Sequence, residues 1–273
     1  MEKLEGRDIF LPEKITERKL YFSDDLQRQL DLLQTSLEEK HFATLCRRME
    51  ERGLQKGMAV LLYGEPGTGK TESVMQMARK TGRAIYHVDI SATKSCWFGE
   101  SEKLIKDVFK KYEDICDNSE ICPILLFNEA DGIFSKRKDS DSSNLAQTEN
   151  AIQNIILEEM ERLSGILIAT TNMADNLDGA FERRFLFKIK FEKPLLDARK
   201  NIWLSKMPSL GDEDALSLAT SFSFSGGEID NIVRKATIME VLEGKEPELQ
   251  EIRRLCREEK LHGDRAPVGF HSK

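Results

Sequence analysis

The sequence predicts an α/β fold, a parallel five-stranded sheet between helices, followed by a small all-helical lid domain. Three observations carry that expectation. Short, almost wholly apolar runs such as Ile124–Asn128 alternate with segments whose apolar residues recur at helical spacing, the pattern of a parallel sheet covered on both faces. One such run, Ala59–Tyr63, breaks into a glycine-rich loop and then a helix over Glu72–Lys80. Beyond Pro194 every apolar pattern has the helical period.

Taken in order, residues 1–19 are charged and interrupted by Pro12, an extended or frayed lead-in. A helix starts at Ser23 or Asp24, with Leu26, Leu30, Leu33 and Leu37 on one face, spaced to pack on the domain's own core. A second runs from about His41 to Arg52 and stops at Gly53. After the loop helix, strands are expected over Ala84–Asp89, Ile124–Asn128, Ile166–Thr170 and Phe185–Phe191. Helices are expected over Ser101–Tyr112 and through Ile152, Ile155, Ile156 and Met160. Ser135–Asn144 has no apolar residue and reads as an exposed loop. The domains are then 1–56, a helical lead-in packed on the core; 57–193, the sheet domain; and 194–273, the lid. The lid's helices are about Leu196–Lys206, Asp212–Ser221 and a strong one opened by the capping box Ser225-Gly226-Gly227-Glu228. The tail after Leu261 looks loosely ordered.

At 273 residues the chain has ample core, and 33% charged residues is ordinary for a globular protein. Its 41 basic and 48 acidic residues, net −7, disfavour a main role on nucleic acid or an anionic membrane. No apolar run reaches membrane-spanning length, and the N-terminus is not a signal peptide. The five cysteines and four histidines form no zinc set, and the cysteines read as reduced thiols of a cytoplasmic protein.

The chemistry centres on Gly64-Glu65-Pro66-Gly67-Thr68-Gly69-Lys70-Thr71, which fits G-x-x-x-x-G-K-[ST], the phosphate-cradling P-loop. Gly64, Gly67 and Gly69 let backbone N–H groups approach phosphate, and the following helix, from Glu72, offers its positive end. Lys70 would reach the β- and γ-phosphates of ATP, and Thr71 would ligate Mg²⁺. Ile124–Asn128 ends in Glu129, a carboxylate at the carboxyl end of an apolar strand, able to take a proton from an attacking water.

Together these motifs resemble the Walker A and Walker B elements of the AAA ATPases, a branch of the AAA+ superfamily of P-loop NTPases. Ile168–Asn172 and Leu177–Phe185 are similar to its second region of homology, and Ser225–Ile229 to the start of its lid helix. The resemblance, to a prokaryote-like member, covers about Ala59 to Ala236. It implies that Asn172 senses the γ-phosphate or attacking water, and that Arg183 and Arg184 are arginine fingers reaching a neighbouring subunit's nucleotide. Asn128 stands where the family usually has Asp, so Mg²⁺, held by Thr71 and Asn128, should bind more weakly. Trp97-Phe98-Gly99 matches the family's pore loop, whose aromatic rings grip an extended polypeptide, and Ser135–Asn144 a second pore-facing loop.

The resemblance thus implies a homo-oligomer, a hexamer, that hydrolyses ATP at intersubunit sites and remodels or unfolds a protein substrate, directly or through an adaptor. Residues near Leu20–Phe22 and the lid helix are the adenine-pocket candidates. No H-E-x-x-H motif is present, so a protease activity is not expected. Two other readings stay open: a nucleotide-switched binding module with slow or no hydrolysis, and a DNA-associated AAA+ ATPase, which the acidic balance opposes. Residues 1–56 leave little room for a recognition domain, so the chain is read either as a fragment or as adaptor-dependent.

Overall fold

A computed structural model describes residues 9–89, 101–136, 144–173 and 176–259. It contains two compact units. The first holds the chain up to Leu20, Asp24–Glu65 and Gly69–Glu192; the second holds Tyr21–Ser23, Pro66–Thr68 and the chain from Lys193.

The first unit is built on six strands: β1 (Ile9–Phe10), β2 (Met58–Gly64), β3 (Ile85–Asp89), β4 (Ile124–Asn128), β5 (Ile166–Thr171) and β6 (Phe187–Phe191). Their order is β1-β3-β4-β5-β2-β6. All neighbours are parallel except β1, which pairs antiparallel with β3 (Ile9 opposite Tyr86). β2 therefore lies between β5 and β6, with Tyr63 opposite both Thr171 and Lys190. The expected five strands are all present, but the sheet has a sixth. Two residues are too few to show a strand period, and Pro12 begins a 3-10 turn directly behind them.

Helices α1 (Asp24–Leu37), α2 (Glu39–Glu51), α3 (Lys70–Thr81), α4 (Ser101–Asp117), α5 (Asp131–Phe134), α6 (Asn144–Arg162) and α7 (Gly179–Glu182) complete this unit. Ala59, Leu61, Leu125, Phe127, Leu167 and Ala169 pack with Ile105, Phe109 and Tyr112 of α4 and Ile152, Ile156 and Met160 of α6. The alternate strand residues Val60, Leu62, Leu126 and Ile168 are equally buried, as expected for a sheet covered on both faces. Leu26, Leu30, Leu33 and Leu37 are the buried face of α1.

The lead-in is not frayed from Ile9 onward. Thr16 accepts the Gln76 side-chain N–H through its carbonyl (2.9 Å), and Glu17 and Arg18 pair with Arg79 and Glu72 of α3. Polar and charged side chains of α3 hold Thr16–Arg18, so apolar patterning carried no trace of that contact. Helix lengths also grew. α4 continues five residues past Tyr112 through Ile115 and Cys116, and α6 begins at Asn144, before its first isoleucine.

Arg83 is wholly buried and joins three segments. Its Nε donates to Leu37 O (2.7 Å), one terminal nitrogen pairs with Glu39 (2.9 Å), the other donates to Cys122 O, and the guanidinium lies 4.9 Å from the Phe42 ring centre. Tyr112 does the same for β4 and β5. Its hydroxyl lies 2.9 Å and 3.0 Å from the carbonyls of Pro123 and Ile166 and accepts the Ile166 N–H at 2.7 Å.

In the second unit, α8 (Leu196–Lys206), α9 (Asp212–Ser221), α10 (Gly226–Glu243) and α11 (Leu249–Glu259) enclose Trp203, Leu218, Phe224, Ile229, Ile232, Ile252 and Leu255. The capping box of α10 is complete: Ser225 N–H donates to Glu228 (2.7 Å), and Glu228 N–H donates to Ser225 Oγ (3.3 Å). Helix α11 escaped sequence reading, because Leu249, Ile252, Leu255 and Cys256 are scattered among charged residues. Its Glu259 holds Lys235 and Asn231 (3.0 Å to the latter). The tail after Leu261 lies outside the described residues.

Candidate functional site

The site grows from the point where β2 stops being apolar. At Gly64 the backbone turns to φ +135°, and a Cβ there would lie 1.9 Å from Phe191 O, so only glycine lets the two strand ends run together. Gly67 (φ +71°) is equally constrained within the second unit. Its carbonyl accepts the Gly227 N–H at 2.9 Å, and a Cβ would lie 2.8 Å from Ser225 Oγ. The loop closes at Gly69, the residue before α3, whose carbonyl accepts both the N–H and hydroxyl of Ser73.

Lys70 opens α3 and folds back under the loop, 7% exposed, with Nζ 2.8 Å from the carbonyls of both Gly64 and Glu65. Burial lowers its pKa, while the charges of Asp131, Glu129 and Glu65 work in the opposite direction. The ammonium thus feels the charge of three carboxylates. Glu72, two residues along, is held by Arg18 (3.0 Å) and Gln76 (2.8 Å). Thr68 is buried in the loop.

Thr71 connects this loop to β4. Its hydroxyl donates to Asn128 Oδ1 at 2.7 Å, and the same oxygen accepts the Thr170 hydroxyl at 3.0 Å. The next residue, Glu129, has φ +52°, unusual for a residue with a side chain. That conformation is held by its own N–H donating to Thr170 Oγ1 (3.1 Å) and by Ala130 N–H donating to Thr170 O (2.9 Å). The turn leaves the Glu129 side chain exposed at the strand's end.

Asp131 closes the group. Its Oδ1 accepts the Thr171 hydroxyl and the backbone N–H of Asn172 (2.8 Å), tying the ends of β4 and β5 together. Thr71, Asn128, Glu129 and Asn172, singled out from separate stretches of sequence, are thus brought together by direct bonds or through Thr170 and Asp131, while Lys70, among the described residues, bonds only to loop carbonyls. Thr170 and Asp131, with Thr171, lie inside the motifs read from the sequence but were assigned no role there. The only signal was hydroxyls and a carboxylate clustered at two strand ends.

The paired arginines behave differently from one another. Arg183, exposed after α7, donates through Nε to Gly179 O at 3.2 Å. Arg184 turns inward, donating to Ala180 O (2.8 Å) and pairing with Glu161 of α6, while its Nε is buried without a partner. Trp97, Phe98 and Gly99 lie outside the described residues, as does 137–143 of the second loop. Among the described residues no helix is long and apolar enough to cross a membrane, and no cluster of three His, Cys, Asp or Glu could hold a metal ion.

Residues 60–194 match the family model "ATPase family associated with various cellular activities (AAA)". The chain belongs to the AAA family. A katanin p60 ATPase-containing subunit A1 from Strongylocentrotus purpuratus is 28% identical over 77% of this chain and 42% of its own length. A proteasome-activating nucleotidase from Saccharolobus islandicus is 31% identical over 71% of this chain and 51% of its own length. This AAA chain thus spans about half the length of the curated relatives it matches. Among solved structures, the FIGL-1 AAA domain in complex with ADP superposes with a TM-score of 0.70 at 17% identity, covering 95% of this chain and 90% of that one, a likeness of fold.

The donor set fits a magnesium polyphosphate. The strand end at Gly64 leaves no room for a side chain, and a buried ammonium lies against its carbonyl. Thr71 and Asn128 offer the hard oxygen donors that Mg²⁺ takes.

Proposed function

We propose that this chain is an ATP hydrolase that remodels or unfolds protein substrates through the central pore of a homo-hexamer. One observation carries the reading: the 2.7 Å bond from Thr71 to Asn128, which joins the glycine loop to the strand end bearing Glu129. The names of the relatives, an ATPase-containing subunit and a nucleotidase, support nucleotide hydrolysis. The ADP in the FIGL-1 AAA domain is consistent with a nucleotide bound by a chain of this fold.

In this reading Gly64, Glu65, Pro66, Gly67, Thr68 and Gly69 wrap the phosphates with main-chain N–H groups, at the start of α3 where Glu72 lies. Lys70 leaves its two carbonyls for phosphate oxygens, and Thr71 and Asn128 hold Mg²⁺. Bound Mg²⁺ neutralises charge that develops on the transferring phosphoryl group. Glu129, aimed by its turn, accepts the proton of the attacking water. Asn172 orients that water or the γ-phosphate from the adjoining strand end. Arg183 and Arg184 act on a neighbouring subunit's nucleotide, Arg183 being the freer of the two. Residues 57–193 form the ATPase domain, 1–56 its packed lead-in and 194–273 the lid. Trp97, Phe98 and Gly99 grip substrate, and the setting is cytoplasmic.

The test is Glu129→Gln, which keeps size and removes the base. Steady-state ATPase should fall by about 10²-fold or more, with nucleotide affinity retained by fluorescence titration. Equal turnover in the two proteins overturns Glu129 as the base. A second reading, a nucleotide-switched binding module, is favoured by Asn128, whose neutral oxygen already accepts two hydroxyls and brings no charge to Mg²⁺. Nucleotide binding without Mg²⁺-dependent turnover in the unmodified protein would select it.

A further inference from the structure

Away from this site, two thiols stand together at the opposite end of β4. Cys116, on the last turn of α4, and Cys122, in the segment leading into β4, have Sγ atoms 3.4 Å apart. Both are half-buried and free. Only Asp117-Asn118-Ser119-Glu120-Ile121 separate them, and 117–120 are exposed. That loop can absorb the movement needed to bring the sulfurs from 3.4 Å to the bond length of about 2.05 Å.

The surroundings distinguish the two sulfurs. The hydrogen bond from Cys116 pushes the Cys122 thiol down to about 7, and the Tyr112 hydroxyl (3.6 Å) and the charge of Arg83 act in the same direction against burial. The same bond, with burial, raises Cys116. Arg83 is fixed there by its bond to the Cys122 carbonyl. A thiolate-prone sulfur beside a cation, with a second thiol in contact, is the arrangement that attacks peroxides and then resolves.

We propose that Cys116 and Cys122 form a peroxide-reactive dithiol, with Cys122 the attacking thiol and Cys116 the resolving one. The Cys122 thiolate attacks one oxygen of a hydroperoxide; the O–O bond breaks, the sulfur becomes a sulfenic acid, and the departing oxygen leaves as alcohol or water after taking a proton. The Cys116 sulfur then attacks Cys122; the S–O bond breaks and hydroxide leaves with the Cys116 proton as water. Two thiols are oxidised to one disulfide while the peroxide takes up two electrons, and a small dithiol reductant reverses the change.

The test treats the reduced full chain with equimolar hydrogen peroxide, caps remaining thiols with a maleimide and maps the peptides by mass. The expected result is a single Cys116–Cys122 cross-link, lighter by two hydrogens and reversed by dithiothreitol. Cys116→Ser should leave Cys122 as a sulfenic acid that a 1,3-diketone captures, and Cys122→Ser should slow oxidation of Cys116 about tenfold or more. A pair still fully alkylated after peroxide overturns the proposal. So does a cross-link from Cys122 to Cys46, whose Sγ lies 3.5 Å from Lys56 O and whose pKa is raised first by burial and then by Cys122. So does equally fast oxidation in Cys122→Ser. None of these readouts depends on nucleotide turnover.

Discussion

At the carboxyl end of β4, Asn128 accepts two hydroxyls and Glu129 stands exposed on a left-handed turn; at its amino end, Arg83 and Tyr112 are buried and directed mainly at main-chain carbonyls. Both ends are dense in polar groups, yet they are built for different work. Around Arg83 and Tyr112 the donors and acceptors satisfy one another, which ties α1, α2, α4 and β5 together, while the Cys116 and Cys122 thiols beside them stay free. At the carboxyl end the bonds orient side chains whose charges remain directed at the Lys70 ammonium and at solvent. Saturation makes a joint; partial satisfaction makes a site.

Substitutions can break that contrast. The largest effect is expected from Glu129→Gln, about 10²-fold or more in ATPase rate with an unchanged unfolding midpoint. At the other end, Arg83→Met should cost about 3 kcal/mol in denaturant unfolding, because it strands the carbonyls of Leu37 and Cys122 in the interior. Tyr112→Phe should cost about 2 kcal/mol by the same measurement, leaving the Ile166 N–H unpaired, with ATPase per folded molecule little changed. Thr170→Val sits on the boundary of the comparison. It should cost about 1 kcal/mol yet also lower turnover, since it releases the Glu129 N–H and one hydroxyl on Asn128. If stability falls and turnover does not, Thr170 is a joint and no part of the site.

The smallest effect is one of pH. With its thiol lowered to about 7, Cys122 should be alkylated by iodoacetamide at a rate that rises through that pH and levels off above it, where the thiolate dominates. Cys116→Ala should move the midpoint up toward the ordinary thiol value of about 8.5, because the hydrogen bond donated by residue 116, the chief cause of the lowering, is removed.

Much of the molecule was legible before any coordinates. Strands announced themselves because both faces of the sheet are covered, so Val60, Leu126 and Ile168 had to be apolar together with their neighbours. The loop was legible because close backbone approach leaves glycine as the only choice at Gly64. The capping box of α10 was legible because both of its bonds are local. The rest depended on long-range partners. Strand β1 exists through pairing with β3, and the segment around Thr16–Arg18 is docked by charges on α3. Asn128 read as a departure from a pattern; nothing in its neighbours along the chain announced that Thr71 and Thr170 would converge on one oxygen.

The sequence by itself determined the element types, the phosphate-cradle loop and the residues able to do chemistry, since these follow from periodicity, side-chain chemistry and bonds spanning three or four residues. Only the tertiary structure decided how they work together. It set Thr170 and Asp131 behind the strand ends, turned Arg184 onto Glu161 while Arg183 stayed exposed, and brought Cys116 against Cys122. The relations through Thr170, Asp131 and Glu161 arise where segments from distant parts of the chain lie side by side, and no local pattern encodes a distance between them.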